Sequence, residues 1–279
     1  MPGTRGGFSL QSVNSIVKIC GADIGICQFR HDPPGNGRTI VFLHDSLGCI
    51  GAWGDFPQML CELSGCDGLI YDRRGHGISS PFEGSRKPDY HQEEANMLDA
   101  LLEKMGVEKA ILFGHSDGGT IALLAAALHP ERVDRIISEA GHVFVENITI
   151  DGIIAAKDLY DNHEKLQQRL FKHHGAKSRR LLEMWTEDWL NTDFRDWNIE
   201  KFLPLIKCPV LVIQGENDEF GTIAQVEAIY SQIGGVAEAC VLPRMGHTPH
   251  KQAREEILEK STKFIAQLYD DLLALRRKP

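Results

Sequence analysis

Cysteine is present in this chain, but not in the numbers or spacing that a disulfide frame needs. The seven cysteines, at 20, 27, 49, 61, 66, 208 and 240, are odd in number and scattered, with no C-x-x-C pair. That pattern excludes a cross-linked scaffold or a paired-cysteine zinc site and points to reduced thiols in a cytoplasmic protein. Several cysteines sit in apolar runs (Lys18-Ile19-Cys20, Ile26-Cys27), where the thiol serves as a small buried hydrophobe. A basic excess is also lacking. The formal charge is -9, so no broad cationic surface exists for nucleic acid or an anionic membrane. The short basic clusters Arg179-Arg180 and Arg276-Arg277-Lys278 read as solvated helix surface and tail. No apolar run reaches transmembrane length, no charged-then-apolar leader opens the chain, and no internal repeat interrupts it. Residues 1 to about 14, rich in Gly and Ser, are expected to be loosely held.

What the chain does have is alternation. Ser15–Cys20 and Ile24–Arg30 read as strands flanking Gly21-Ala22-Asp23, a hairpin. Apolar strand runs follow at Thr39–Leu43, Gly68–Tyr71, Ala110–Phe113, Arg135–Ser138, Pro209–Ile213 and Val236–Leu242. Helical patterns lie between and after them at Trp53–Leu63, His91–Met105, Thr120–Leu128 and about Gln252–Leu275. Such alternation implies an α/β protein with a mostly parallel sheet covered on both faces. From about Phe144 to Leu205 the alternation stops. Only helical stretches appear, at Asp151–Tyr160, Glu164–His174, Ser178–Leu190 and Ile199–Ile206, together with three of the four tryptophans, Trp185, Trp189 and Trp197. An all-helical insertion between two core strands is expected to cap the strand ends, where ligands bind in open α/β sheets. Its tryptophans either line an apolar pocket, with Trp185 and Trp189 the substrate-binding candidates, or join cap to core.

The chemistry centres on Gly114-His115-Ser116-Asp117-Gly118-Gly119, a G-x-S-x-G sequence between the strand run at 110–113 and the helix-forming TIALLAAAL. Glycines at 114 and 118 allow a sharp strand-to-helix turn that leaves the Ser116 hydroxyl exposed at a helix N-terminus. A serine hydroxyl needs an imidazole to take its proton and a carboxylate to fix that imidazole's tautomer. Asp218, in the loop after the strand ending at Gln214, and His247, after the last strand, fit the chain order serine, acid, histidine. Glu216, Glu219 and Glu139 compete with Asp218, which also reads as a helix cap before Thr222. His250 competes with His247 but falls near a helix start and is expected at the surface. His44, His76, His115 and His142 read as structural. The oxyanion donors are expected to be backbone N–H groups of Asp117, after the nucleophile, and of Ser46, in the loop after Thr39–Leu43. No metal and no cofactor is required.

These residues together resemble the α/β-hydrolase superfamily over about residues 15–275. His44-Asp45-Ser46-Leu47-Gly48 resembles its H-G-x-x-G oxyanion loop, and Asp72-Arg73-Arg74-Gly75-His76-Gly77-Ile78-Ser79 resembles its D-x-R-G-x-G-x-S turn. The resemblance implies an α/β-hydrolase fold: an eight-stranded, mostly parallel sheet with helices on both faces, its core at 15–143 and 207–276 and a helical cap at 144–206. The capped segment is similar to esterase, meta-cleavage-product hydrolase and dehalogenase branches. The runs at 142–146 and 218–222 resemble a bacterial carboxylesterase-like group. Ser116 stands where dehalogenases and epoxide hydrolases carry aspartate, so an alkyl–aspartate mechanism is not expected. His247-Thr248-Pro249-His250 lacks the tryptophan that carbon–carbon ring-fission hydrolases typically carry after their histidine. Asp45 replaces a glycine and is expected to narrow or charge the pocket mouth. Asp117 is shared with valacyclovir-hydrolase-like enzymes, in which the corresponding acid resembles a recognition site for a substrate amino group. Otherwise Asp117 only favours the helix N-terminus. The expectation is a serine hydrolase of a small ester. The alternatives are a carbon–carbon hydrolase of ring-fission products or a non-catalytic ligand-binding protein on the same scaffold. Its partner is a small molecule, and a homodimer is compatible with the sequence.

Overall fold

A computed structural model describes residues 9–267 of the chain. The C-terminal end of the last helical pattern, the basic cluster at 276–278 and residues 1–8 of the expected loose segment lie outside the described residues. Strands β1 (Ser9–Ile19) and β2 (Ala22–Asp32) form the hairpin. Cys20 and Gly21, both at positive φ, make its two-residue turn, the geometry that matches the twist of paired strands. Residues 9–14, expected to be loose, are instead paired in register with β2 from Ser9↔Asp32 to Asn14↔Cys27. On this edge strand most of the side chains stay exposed, so backbone pairing rather than apolar burial holds the segment.

The chain continues through β3 (Thr39–Leu43), a 3₁₀ turn at Ile50–Trp53, α1 (Phe56–Ser64), β4 (Asp67–Tyr71), α2 (Tyr90–Met105), β5 (Ala110–His115), α3 (Asp117–Leu128) and β6 (Val133–Glu139). The helix expected from Trp53 begins three residues later, with Pro57 in its first turn, where a missing N–H costs nothing. Between β6 and β7 (Val210–Gly215) the described chain is helical: α4 (Asn147–Asn162), α5 (Glu164–His174) and α6 (Ser178–Leu190), then 3₁₀ turns. Glu146 sets the early start of α4, through a capping box with Thr149. The stretch expected to be helical at 199–206 is a 3₁₀ run, Glu200–Leu205, with Pro204 inside it, where an α-helix would lose a hydrogen bond and meet a ring clash. α7 (Ile223–Gln232), β8 (Ala237–Leu242), the short α8 (Pro249–Gln252) and α9 (Arg254–Ala266) complete the described chain.

The eight strands lie in the order β1-β2-β4-β3-β5-β6-β7-β8, parallel from β4 to β8 and antiparallel at β1 and β2. Successive residues of the central strands face opposite sides. Phe42, Phe113, Ile137 and Ile213 pack with Phe56 and Leu60 of α1 and Ile257 and Phe264 of α9. Leu43, Leu112, Ile136 and Val212 pack with α2, α3 and α7 and with the tryptophans of the helical segment. The sheet is therefore covered on both faces, which explains the near-continuous apolar runs of β3 and β5. No helix among the described residues is long and apolar enough to cross a membrane. All seven cysteines are unpaired thiols.

Candidate active site

Every group singled out for chemistry meets at the C-terminal ends of the parallel strands. β5 ends at His115, α3 begins at Asp117, and Ser116 between them has φ 55 and ψ -121, a conformation that non-glycine residues avoid. Such strain, about 1–3 kcal/mol, persists only where the surroundings enforce it. Here Ser116 N donates to Glu139 O at 2.8 Å, while Gly119 N and Thr120 N close the first helical turn on Ser116 O. Strand and helix pass so closely that a Cβ on Gly114 would overlap the backbone carbonyl of Gly118. Gly114→Ala is accordingly expected to cost about 3 kcal/mol, a Tm fall of roughly 6–12 °C in a thermal melt. An unchanged melt would contradict this packing.

The Ser116 hydroxyl donates to His247 Nε2 at 2.9 Å, and His247 Nδ1 donates to the Asp218 carboxylate, 2.9 Å from either oxygen. Asp218 also accepts from Phe220 N (2.8 Å) and Gln214 Nε2 (2.8 Å). Burial opposes its ionisation, but His247, the Phe220 amide and His142 outweigh it and hold the carboxyl below the usual carboxylate range. The rival acids have other partners. Glu216 accepts from Arg244 N, and Glu219 accepts from His247 N, at 3.2 Å each. Glu139, fully buried, accepts from His250 N and from His250 Nδ1. His250 is thus not at the surface as expected, because its bonds to Glu139 and its packing on Trp53 and Phe56 draw it inward. The helix cap that competed for Asp218 is Thr222 itself, whose side chain accepts from Ala224 N.

Ser46 and Asp117 border the same cavity as Ser116, and neither backbone N–H donates to another group among the described residues. The loop carrying Ser46 is braced from behind. His44 Nε2 accepts from Arg73 N (3.1 Å), so His44 Nδ1 donates to Asp45 O (2.7 Å). Burial and the Arg73 charge push the His44 pKa down to about 3, which keeps that tautomer neutral. Arg73 donates to Asp45 O at 2.7 Å, and its guanidinium also meets the Asp117 carboxylate at 3.5 Å. Tyr90 Oη donates to Asp117 at 3.2 Å, and His91 Nε2 lies 3.4 Å from it. Asp117 is 1% exposed. Burial opposes its charge, yet His91 and Arg73 hold its carboxyl far below the usual range. This carboxylate is matched inside the protein, which the sequence reading, with amine recognition and helix start as its options, did not anticipate.

The cavity over Ser116 has a volume of about 210 Å³. Asp45, Leu47, Trp185, Trp189, Tyr160 and Phe220 are among its lining residues. Trp197, the third tryptophan of the helical segment, lies outside it and stacks on Phe194 at 5.4 Å. Trp189 serves both purposes, since its Nε1 also donates to Tyr90 Oη at 3.2 Å. Leu47, Ile153, Tyr160, Phe220 and His142 were missed as pocket residues; Leu47, Phe220 and His142 lie beside the motifs, whereas Ile153 and Tyr160 sit on α4 and carried no such signal. A larger cleft, about 550 Å³, opens at the opposite ends of β3, β4 and β5 around Thr39, Asp67 and Lys109. Its described lining has no serine, cysteine or histidine, so no nucleophile–base pair borders it.

A strand-ordered sheet with a strained serine at a strand–helix turn, bonded in series to a histidine and an aspartate, defines a class of hydrolytic enzyme. The family model of the alpha/beta hydrolase fold matches residues 38–181. The chain belongs to the α/β-hydrolase fold family and is a hydrolase of that family. It is 25% identical to the serine hydrolase BPHL of Homo sapiens over 203 residues, 71% of this chain and 68% of the relative. It is also 25% identical, over 91% of its length and 96% of the relative's, to a 2-hydroxy-6-oxononadienedioate/2-hydroxy-6-oxononatrienedioate hydrolase of Paraburkholderia xenovorans (strain LB400). Among solved structures it resembles the enol-lactonase from Burkholderia xenovorans LB400. The TM-score is 0.72 with 18% identity, covering 91% of this chain and all of the other.

Proposed function

We propose that this protein is a serine hydrolase that cleaves a small, uncharged carboxylic ester. The observation that carries the reading is the unbroken hydrogen-bonded series from Ser116 through His247 to Asp218 beneath the cavity. His247 takes the Ser116 proton as Oγ attacks the carbonyl carbon, and Asp218 holds the imidazolium that forms. Backbone N–H groups of Ser46 and Asp117 receive the developing oxyanion. Collapse expels the alkoxide, which takes the proton from His247. Water, deprotonated by the same imidazole, then releases the acid and restores Ser116. Residues 144–206 act as the cap that closes the apolar side of the pocket. The unpaired thiols support a reducing, cytoplasmic setting.

The pocket itself favours a neutral substrate. Its described lining contains no lysine or arginine, and its two carboxylates, Asp45 and Asp117, face His115 and Arg73 within the protein. A dioate entering here would lose hydration of its carboxylates with no free cation to receive them. A protonated amine would find no unmatched acid. The volume is below the roughly 300–1,000 Å³ of drug-sized sites, which fits a short acyl chain. The test is kcat/KM for a neutral short-chain aryl ester, its α-amino counterpart and a ring-fission dioate, with Ser116→Ala as the blank. The neutral ester is expected to lead both others by at least about 10-fold, some 1.4 kcal/mol in transition-state binding. A lead for the dioate would replace the ester reading with carbon–carbon cleavage, and a lead for the amino ester would return Asp117 to substrate recognition. Inertness toward all three would favour a binding protein.

A further inference from the structure

His115, the residue before the nucleophile, was expected only to make a structural hydrogen bond, yet both of its ring nitrogens face acceptors. Nε2 lies 2.7 Å from the backbone carbonyl of His247, and Nδ1 lies 3.3 Å from Asp45 Oδ2. A neutral imidazole has one N–H and one lone pair, so it would turn that lone pair on either a carbonyl or a carboxylate oxygen. A doubly protonated ring serves both. The Asp45 carboxylate is itself part of the oxyanion loop, its Oδ1 accepting from Leu47 N at 2.8 Å.

We propose that His115 is an imidazolium that acts as a positioning residue, tying the loop that carries Ser46 to the loop that carries His247. One link runs through the Asp45 side chain and the other through the His247 carbonyl. Both loops are thereby referenced to the residue immediately before Ser116, so base and oxyanion donor keep their places relative to the nucleophile. This proposal rests on the reading of Ser116 and His247 as nucleophile and base.

The surroundings support the charge. The groups that face His115 are Asp45 from the loop after β3, Glu139 at the end of β6, the His247 ring at 5.1 Å after β8, and the His250 ring at 4.9 Å on α8. Burial disfavours the cation, but Asp45, Glu139 and the His247 carbonyl outweigh it and raise the His115 pKa. His250 goes the other way, since burial lowers its pKa despite Glu139, to which its Nδ1–H donates. His115 faces an acceptor at each ring nitrogen, whereas His250 meets Glu139 through Nδ1. Because the pKa is raised, both links are present below it, and one is lost as pH rises through it. Turnover should fall on the alkaline side in a one-proton step.

Two measurements test this. Histidine nitrogen NMR of the ligand-free protein reads ring protonation without turnover, so its failure is distinct from failure of the esterase reading. At neutral pH both His115 nitrogens are expected at imidazolium positions, with an apparent pKa above the ordinary histidine value. Asp45→Asn should lower that pKa, and His115→Gln, which loses the resonances, assigns them. If His115→Gln does not fold, Asp45→Asn alone identifies the shifted ring. In steady-state kinetics His115→Gln is expected to lower kcat by about 10–100-fold through small displacements of reacting groups. KM should change less than kcat, because the links fix the relative positions of the reacting groups rather than the bulk of the pocket wall. The alkaline limb should disappear in His115→Gln and move to lower pH in Asp45→Asn. A neutral His115 ring at neutral pH overturns the proposal. So does a His115→Gln variant whose pH profile matches the wild type, whether its kcat is full or reduced.

Discussion

Replacing Ser116 with alanine is expected to lower kcat for ester hydrolysis by on the order of 10⁶-fold, the loss seen when a nucleophile that works as a unit with its base is removed. The Ser116 hydroxyl has one hydrogen bond among the described residues, to His247 Nε2, so its removal breaks the proton path at its first step. Alanine keeps the Cβ, and the elbow's backbone bonds to Glu139 O and from Gly119 N and Thr120 N do not involve the side chain. The Tm should therefore move by no more than about 2–4 °C, the shift that 1 kcal/mol produces in a domain of this size. Residual turnover would reflect the oxyanion donors and binding alone. A folded Ser116→Ala variant with more than about 1% of wild-type kcat would contradict the assignment of the nucleophile.

Asp218→Asn is the second large effect, with an expected fall in kcat of about 10⁴-fold. The asparagine is nearly isosteric, so the loss comes from proton placement rather than from a cavity. Asp218 accepts from His247 Nδ1, Phe220 N and Gln214 Nε2 together, so both of its oxygens face donors. An amide turns a donor toward one of these partners. If His247 answers by presenting its Nδ1 lone pair, its Nε2 carries the proton and cannot receive another from Ser116. Burial works against the Asp218 charge, but His247, the Phe220 amide and His142 depress its pKa. With a depressed pKa the carboxylate's contribution is present at higher pH and lost only as pH falls through that lowered value. Wild-type activity should therefore not be limited by Asp218 protonation in the ordinary carboxylate range. Measurement of kcat against pH, with circular dichroism to confirm folding, checks both statements. A variant within about 10-fold of wild type would make Asp218 a purely structural acid.

The parts of this molecule that were legible in its sequence are those set by short-range patterning. Apolar runs at β3, β5 and β7 and the glycine-flanked serine define strand ends and a turn locally. Chain order favoured Asp218 and His247 but left Glu216, Glu219, Glu139 and His250 as rivals, and it is the assembled structure that sets Asp218 and His247 in series with Ser116. Boundaries shifted where one local feature decided them, as with Pro57 in α1 and the Glu146 capping box of α4. Residues 9–14 were missed because pairing with β2 needs no apolar side chain. Partnerships between charged residues far apart in sequence were not legible. Arg73 meets Asp117 and Glu139 meets His250 only after the sheet has assembled. One hint was available in α2, where Tyr90, His91 and Glu94 occupy the buried face that Ala95 and Leu98 share. Polar residues on an apolar stripe indicate buried partners. The pocket lining depended on how α4 and α6 pack, which helical periodicity does not encode.

The central claim is that Ser116 carries the acyl group. Its most direct test is reaction with a small fluorophosphonate, followed by peptide mapping of the adduct and assay of the same sample. One adduct per chain is expected, on Ser116, with ester hydrolysis lost in proportion to labelling. Full inhibition with Ser116 unmodified, or undiminished hydrolysis with Ser116 fully modified, would contradict it.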